Sequence, residues 1–344
     1  MLVFFETSIM TSLRLLSFVV SATSLIALAA CSNAPTAGNS PTPVAGSSSS
    51  STEMSSHSGK PQININSAIL SELDKLEAKL GIPALSHKIQ ASRPYGSPEE
   101  LVSKKVITQD QFDQIKEMVT VEDVILTGEA KDVDYMTKLG LMKGHLLVAK
   151  ELLDQGKPDQ AEPHIGHPVE EIYADVEDQL QERNVKEFKT TLISLQDVVK
   201  AGAQDPNKID TQFKDSMQAV DTAIAAIPEA QRQSPEFVLQ VMNGLLDTAN
   251  SEYTAAIADG KISEVIEYQD SRGFVIYANT LYGNIANQVA QKNPEANKTI
   301  KASMAELKKT WPSAIAPATP VMTPDQVTQM IKQIEQNSQK LTSA

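Results

Sequence analysis

Three of the five histidines of this 344-residue chain fall between positions 145 and 167. His164-x-x-His167-x-x-Glu170 sets two imidazoles and a carboxylate at intervals suited to a transition metal such as Fe, Cu or Zn. His145 stands one helix away. Around it Tyr135, Leu139, Met142, Leu146, Ala149 and Leu153 recur in steps of four and three, which predicts a helix with one buried stripe. His145 lies about 100° round that helix from Leu146, at the edge of the stripe. Gly156-Lys157-Pro158 should stop the helix, and Pro163 and Pro168 should keep the returning segment from coiling. From His145 the helix runs outward roughly 15 Å, at ~1.5 Å per residue. The return to His164, at up to about 3.3 Å per residue, covers that distance. The expected site therefore joins His145, His164 and His167, with Glu170 as its carboxylate. A plainer reading competes with it: acids in a first turn are favoured by the helix dipole without any metal.

The elements that must position these residues are helical. Aromatics are only 5% of the chain, 41% is apolar, and no alternating strand pattern follows residue 132. Val185, Phe188, Leu192, Leu195 and Val199 mark one helix, with Asn184 as its expected cap. Ile209 to Ile227 marks another, ended by Pro228, and Ser234-Pro235-Glu236 reads as the start of a third. A long helix should follow Asp259-Gly260. The expected fold class is all-α: a small helix-hairpin-helix module over 61–125 and an antiparallel helical bundle over 131–311. Residues 312–344 read as a proline-rich linker and a polar terminal helix. Glu252, Asp259, Glu264, Glu267 and Asp270 could supply further oxygen ligands but read more readily as a solvated acidic face, and Tyr253, Tyr268, Tyr277 and Tyr282 as core rather than ligands.

The first 60 residues are targeting and tether. Arg14 precedes an apolar run that ends in Leu28-Ala29-Ala30-Cys31. This resembles the lipobox of bacterial lipoproteins, which implies cleavage before Cys31 and lipidation of its thiol. The run is short for a spanning helix, which needs ~20 residues. Met1 and Met10 are alternative starts, the latter the more typical. Residues 31–60 are rich in Ser, Pro and Thr and include His57, as a solvated tether would be. Cys31 is the only cysteine, so no disulfide forms within one chain. The expected location is extracytoplasmic and membrane-anchored, on the periplasmic face of either membrane.

In the first module, Ile63-Asn64-Ile65-Asn66-Ser67-Ala68, Leu80-Gly81-Ile82-Pro83, Arg93-Pro94-Tyr95 and Ser97-Pro98-Glu99-Glu100-Leu101 resemble the helix-hairpin-helix domains of ComEA-type proteins and, more closely, PsbU of photosystem II. DNA-binding hairpins present backbone N–H groups to phosphate at a glycine-rich turn. Here the turn Gly81-Ile82-Pro83 keeps one glycine and adds a proline, and the second turn, Lys105-Val106-Ile107-Thr108, has none. Seven basic residues stand against ten acidic ones in this module, within a chain of net charge −13. Weak or absent nucleic-acid binding is expected, with docking to a protein as the alternative use of the module.

In the second half, Glu252-Tyr253…Ala256…Asp259-Gly260-Lys261-Ile262…Glu267-Tyr268 resembles extracytoplasmic helical domains attached to Ftr-type iron permeases. Gly166-His167-Pro168-Val169-Glu170 is similar to the His-x-x-Glu of imelysin- and EfeO-like iron-uptake proteins. Both resemblances imply iron handling, or a scaffold role in iron uptake, beside a permease or another membrane protein. The permease's own Arg-Glu-x-x-Glu motif is absent, so the chain is not the channel. Nor does it carry a nucleophile elbow, a phosphate loop or a redox cysteine pair, and a non-catalytic role is expected.

Overall fold

Helices form wherever the 3.6-residue apolar period runs, and proline or glycine marks most of their ends. The computed structural model describes residues 62–123 and 126–342. Cys31, the apolar run before it and the tether with His57 lie outside the described residues.

The first module is two helical hairpins clasped by a parallel strand pair. The strands are β1 (Ile63–Asn64) and β2 (Val119–Thr120), with Ile63 opposite Val119. The first hairpin joins α1 (Leu70–Leu80) to α2 (Leu85–Ala91), and the second joins α3 (Glu100–Ser103) to α4 (Gln109–Ile115). Gly81 closes α1 in the left-handed conformation at φ 64°, and its N–H bonds to the Glu77 carbonyl. Thr108 and Gln111 form a reciprocal capping box at the start of α4. Leu73, Leu76, Leu85, Ile89, Leu101 and Ile115 make the core of this module.

The larger part begins with α5 (Gly128–Asp154). After it come α6 (Pro158–Ala161), α7 (Pro163–His167), a single π-helical turn (Pro168–Ile172) and α8 (Tyr173–Glu182). Next are α9 (Lys189–Lys200), α10 (Pro206–Ile224) and the short α11 (Glu229–Arg232). The chain ends in α12 (Pro235–Ala255), α13 (Val265–Lys292), α14 (Pro294–Leu307) and α15 (Pro324–Thr342). A tight hairpin, β3 (Ile257–Ala258) to β4 (Lys261–Ile262), links α12 to α13 through Asp259 and Gly260, both at positive φ. The architecture is all-α: α12 packs along α13, α5 lies across both, and α15 packs on α12 and α14. No helix of the described residues is long and apolar enough to cross a membrane.

Three local expectations change. The return from α5 is helical rather than extended, because Pro158, Pro163 and Pro168 each sit in a first helical turn, where the missing N–H had no intrahelical partner anyway. Asn184 is left-handed, at φ 55°, in the turn after α8, and the next helix starts only at Lys189. The proline-rich stretch after Trp311 folds back on the bundle. Tyr253 Oη donates to the Met322 carbonyl at 2.7 Å and Tyr268 Oη to that of Ser313 at 3.1 Å. Helix α15 is amphipathic and buries Val327, Ile331, Ile334 and Leu341 in the same core.

The module is joined to the bundle. Helix α1 lies on α12, Ile69 belongs to the bundle's apolar core, and Lys75 pairs with Asp247 at 3.4 Å. The Glu171 carboxylate accepts the Leu70 N–H at 3.1 Å, at the first turn of α1.

Candidate metal centre

Helices α5 and α13 cross at a glycine pair. A Cβ added to Gly273 would stand 2.2 Å from the Gly144 carbonyl oxygen, and one added to Gly144 would stand 2.6 Å from the Phe274 ring. Only hydrogen fits at either position, so the two backbones touch. His145 follows Gly144 on one helix, and Asp270 lies one turn before Gly273 on the other. The close crossing brings His145 Nδ1 to 2.6 Å from Asp270 Oδ1.

The α7 turn supplies two further imidazoles. His164 Nδ1 is 2.6 Å from the same Oδ1, and His167 Nδ1 is 3.6 Å from Oδ2. His145, His164 and Asp270 are buried, while the His167 side chain keeps 30% of its exposure and forms the open side. The His145 ring meets Phe274 edge-on at 5.0 Å and His167 edge-on at 5.4 Å. One ligand atom from each of His145, His167 and Asp270 lies within 4.8 Å of the other two. Opposed donors of one ion, at about 2.0–2.2 Å from it, would be separated by a similar span.

Hydrogen bonding separates the imidazoles into two kinds. Gln269 Nε2 donates to the Gln160 side-chain oxygen at 3.1 Å and to the Ala314 carbonyl at 3.0 Å. Its Oε1 therefore faces His164 Nε2, 2.8 Å away, as an acceptor, and that nitrogen carries hydrogen. His164 is thus held by Gln269 on one side and Asp270 on the other. His145 differs: neither ring nitrogen has a hydrogen-bond partner although the residue is wholly buried. Its close approach to Asp270 lacks hydrogen-bonding geometry, so a buried polar ring is left unsatisfied. Two imidazoles, the unpartnered His145 and the more open His167, and the Asp270 carboxylate make a donor set that fits a divalent transition metal.

Electrostatics favour ligation by His145 and Asp270, whereas His167 must give up a proton to ligate. Burial lowers the His145 pKa, favouring the neutral ring that can ligate. Burial alone would raise Asp270, but the facing imidazoles hold it well below the usual carboxylate range. For His167 burial acts downward and is outweighed by Asp270, Glu171 and Glu267, which lift it to about 9. Burial raises Glu267 to about 7, and it strongly raises Glu252 and Asp74 as well. The second-half acids are therefore not one solvated face: Glu252 and Asp270 are buried, at 2% exposure each, on the inner sides of α12 and α13.

Of the residues expected from spacing, His145, His164 and His167 converge. Glu170 does not join them: it is exposed, and its Oε1 lies 3.5 Å from Gln196 Nε2. Asp270 supplies the carboxylate instead. The sequence carried one unread signal, Gly140-x-x-x-Gly144 directly before His145, a spacing that lets helices approach closely. In the first module, a side chain of the hairpin itself takes two of the donors that follow the turn Gly81-Ile82-Pro83. The Glu77 carboxylate accepts the Ala84 N–H at 2.8 Å and the Ser86 N–H at 3.2 Å, occupying the donors at the start of α2.

Residues 228–344, about a third of the chain, match the model of a family described as the iron permease-associated 4-helix bundle domain. The match spans α12 to α15, and so Gln269 and Asp270, but none of the three site histidines. No curated protein and no solved structure matches the chain.

Proposed function

We propose that the chain is a non-catalytic metal-handling protein that serves iron uptake beside a permease, tethered outside the cytoplasm by a lipid on Cys31. The observation that carries the metal reading is the buried His145, with both nitrogens unpartnered, against a carboxylate shared by two further imidazoles. His145, His167 and Asp270 hold the ion. His164 orients Asp270, and Gln269 orients His164. The match of α12–α15 to the permease-associated family supports iron as cargo and a permease as partner. Against a nucleic-acid role, the Glu77 carboxylate occupies the Ala84 and Ser86 N–H groups at the start of α2.

The chain's single tryptophan, Trp311, donates to Ser271 Oγ at 2.7 Å, one residue from Asp270, and so reports on the site. Fe(II) and Co(II) titrated anaerobically into the full-length protein should give saturable fluorescence and calorimetric changes. His145→Ala, His167→Ala and Asp270→Asn should each weaken binding at least tenfold, and Glu170→Gln should not. Equal binding by the triple variant would refute the site. Separately, Cys31→Ser should abolish incorporation of labelled fatty acid and release the protein from membranes. Continued lipidation of that variant would remove the anchor from the proposal.

A further inference from the structure

A cleft of about 870 Å³ lies between the first module and the bundle, apart from the histidine cluster. Its walls come from β1, α1 and the turn between α4 and β2 on one side and from α5, α8, α12 and α15 on the other. The volume is that of a small-molecule site, at a junction between packed parts where such sites concentrate. Its floor is partly apolar, with Ile63, Ala68, Met118 and Ile331.

Charge selects the occupant. Nine carboxylates line the cleft against three lysines, a net of −6. All three lysines are spent on acids of the same walls: Lys75 pairs with Asp247 at 3.4 Å, Lys131 with Glu182 at 2.5 Å, and Lys138 with Asp175 at 2.6 Å and Asp134 at 3.1 Å. Glu117, Asp178 and Glu335 stand on three different walls, and no ion pair engages them among the described residues. On the α12 wall, Asn243 lines the cleft and keeps its Oδ1 buried without a hydrogen-bond partner. An anion would meet this field on every side, and a bare metal ion would leave the apolar floor unused.

We infer that this cleft binds a small organic cation bearing two or more ammonium groups on an aliphatic chain. The chain lies on Ile63, Met118 and Ile331, and the ammonium groups reach the unpaired acids of opposite walls. Spacing and apolar contact then confer selectivity that net charge alone would not. This inference is independent of the metal reading, because none of its residues belongs to the histidine cluster.

The test is calorimetric titration of spermidine into the full-length protein at physiological ionic strength. One saturable site is expected. Glu117→Gln/Asp178→Asn/Glu335→Gln should weaken it at least tenfold, and a control that removes equal charge elsewhere, Asp197→Asn/Asp215→Asn/Glu177→Gln, should leave it within twofold. His145→Ala/His167→Ala should also bind spermidine normally, so failure of the metal site leaves this result standing. Equal weakening in the control would show diffuse attraction to an acidic protein and overturn the inference. So would the absence of saturable heat, or binding of oligolysine without binding of spermidine, which would make the cleft a peptide-docking groove.

Discussion

Gly273→Ala tests whether the glycine crossing creates the metal centre. The new methyl carbon would lie 2.2 Å from the Gly144 carbonyl oxygen, a backbone atom that cannot rotate aside. Ordinary contact needs about 3.5 Å, so α5 and α13 must part by roughly 1 Å. Overpacking of this kind costs about 1–3 kcal/mol. At roughly 2–3 °C per kcal/mol for a domain of this size, the melting temperature should fall by about 2–9 °C. Asp270 and His145 ride on the two separating helices, so Fe(II) or Co(II) affinity should drop at least tenfold. Gly283→Ala is the matched control on the same helix, since a methyl there meets nothing within 4 Å. It should stabilise by up to ~1 kcal/mol, as alanine does in a helix interior, and leave metal affinity unchanged. Circular-dichroism melting and tryptophan fluorescence titration read the two effects separately. If Gly273→Ala melts with the wild type and binds metal equally well, the close crossing does not position the ligands.

Other outcomes follow from single contacts. Gln269→Leu removes the acceptor of His164 Nε2 and the donor to Ala314; metal affinity should fall ten- to a hundredfold by titration, because an outer residue orients the inner ones. Ser271→Ala leaves the buried Trp311 Nε1–H without its partner and should cost about 1–3 kcal/mol in denaturant unfolding, with a shifted tryptophan emission. His167 and Glu267 should make the metal-free protein lose stability as pH rises, while His145, lowered by burial, acts in the opposite direction below its unfolded value near 6.5. His167, raised to about 9, contributes fully below its unfolded value near 6.5 and loses that contribution as pH passes 9, by at most about 3 kcal/mol. Glu267, raised to about 7, acts in the same direction in a lower window, from its unfolded value near 4.5 up through 7. Unfolding curves from pH 5 to 10 with and without Co(II) check this, and a metal-free protein most stable at pH 9–10 would contradict it.

The helices were largely legible because each carries its own signal. The stripe through Tyr135, Leu139, Met142 and Leu146 is buried as its spacing requires, and Ser234-Pro235 marks the start of α12. The three histidines could be grouped because they are near in sequence. Asp270 could not: 106 residues separate it from His164, and an acid beside Arg272 in a helix looks solvated. Its burial depends on which helix crosses α13, and no local period encodes that. Glu170 was misplaced for a related reason. Spacing places it in an ordinary first turn, whereas Pro168–Ile172 winds as a π turn in which Glu170 is exposed. The fold-back after Trp311 was equally hidden, since prolines announce an end to helix but not the direction the chain then takes.

The sequence distance across the site has a consequence for how it comes into being. His164 and Asp270 are 106 residues apart, and Gly273, which allows their helices to meet, comes later still. At about 5–20 residues per second, some 5–20 s of synthesis separate the imidazoles from their carboxylate. During that interval the nascent chain carries the histidines without the Asp270 carboxylate that would complete the proposed site. On the proposed metal reading, competence would arrive only once α13 is made, so the ion would be acquired after synthesis has passed that helix.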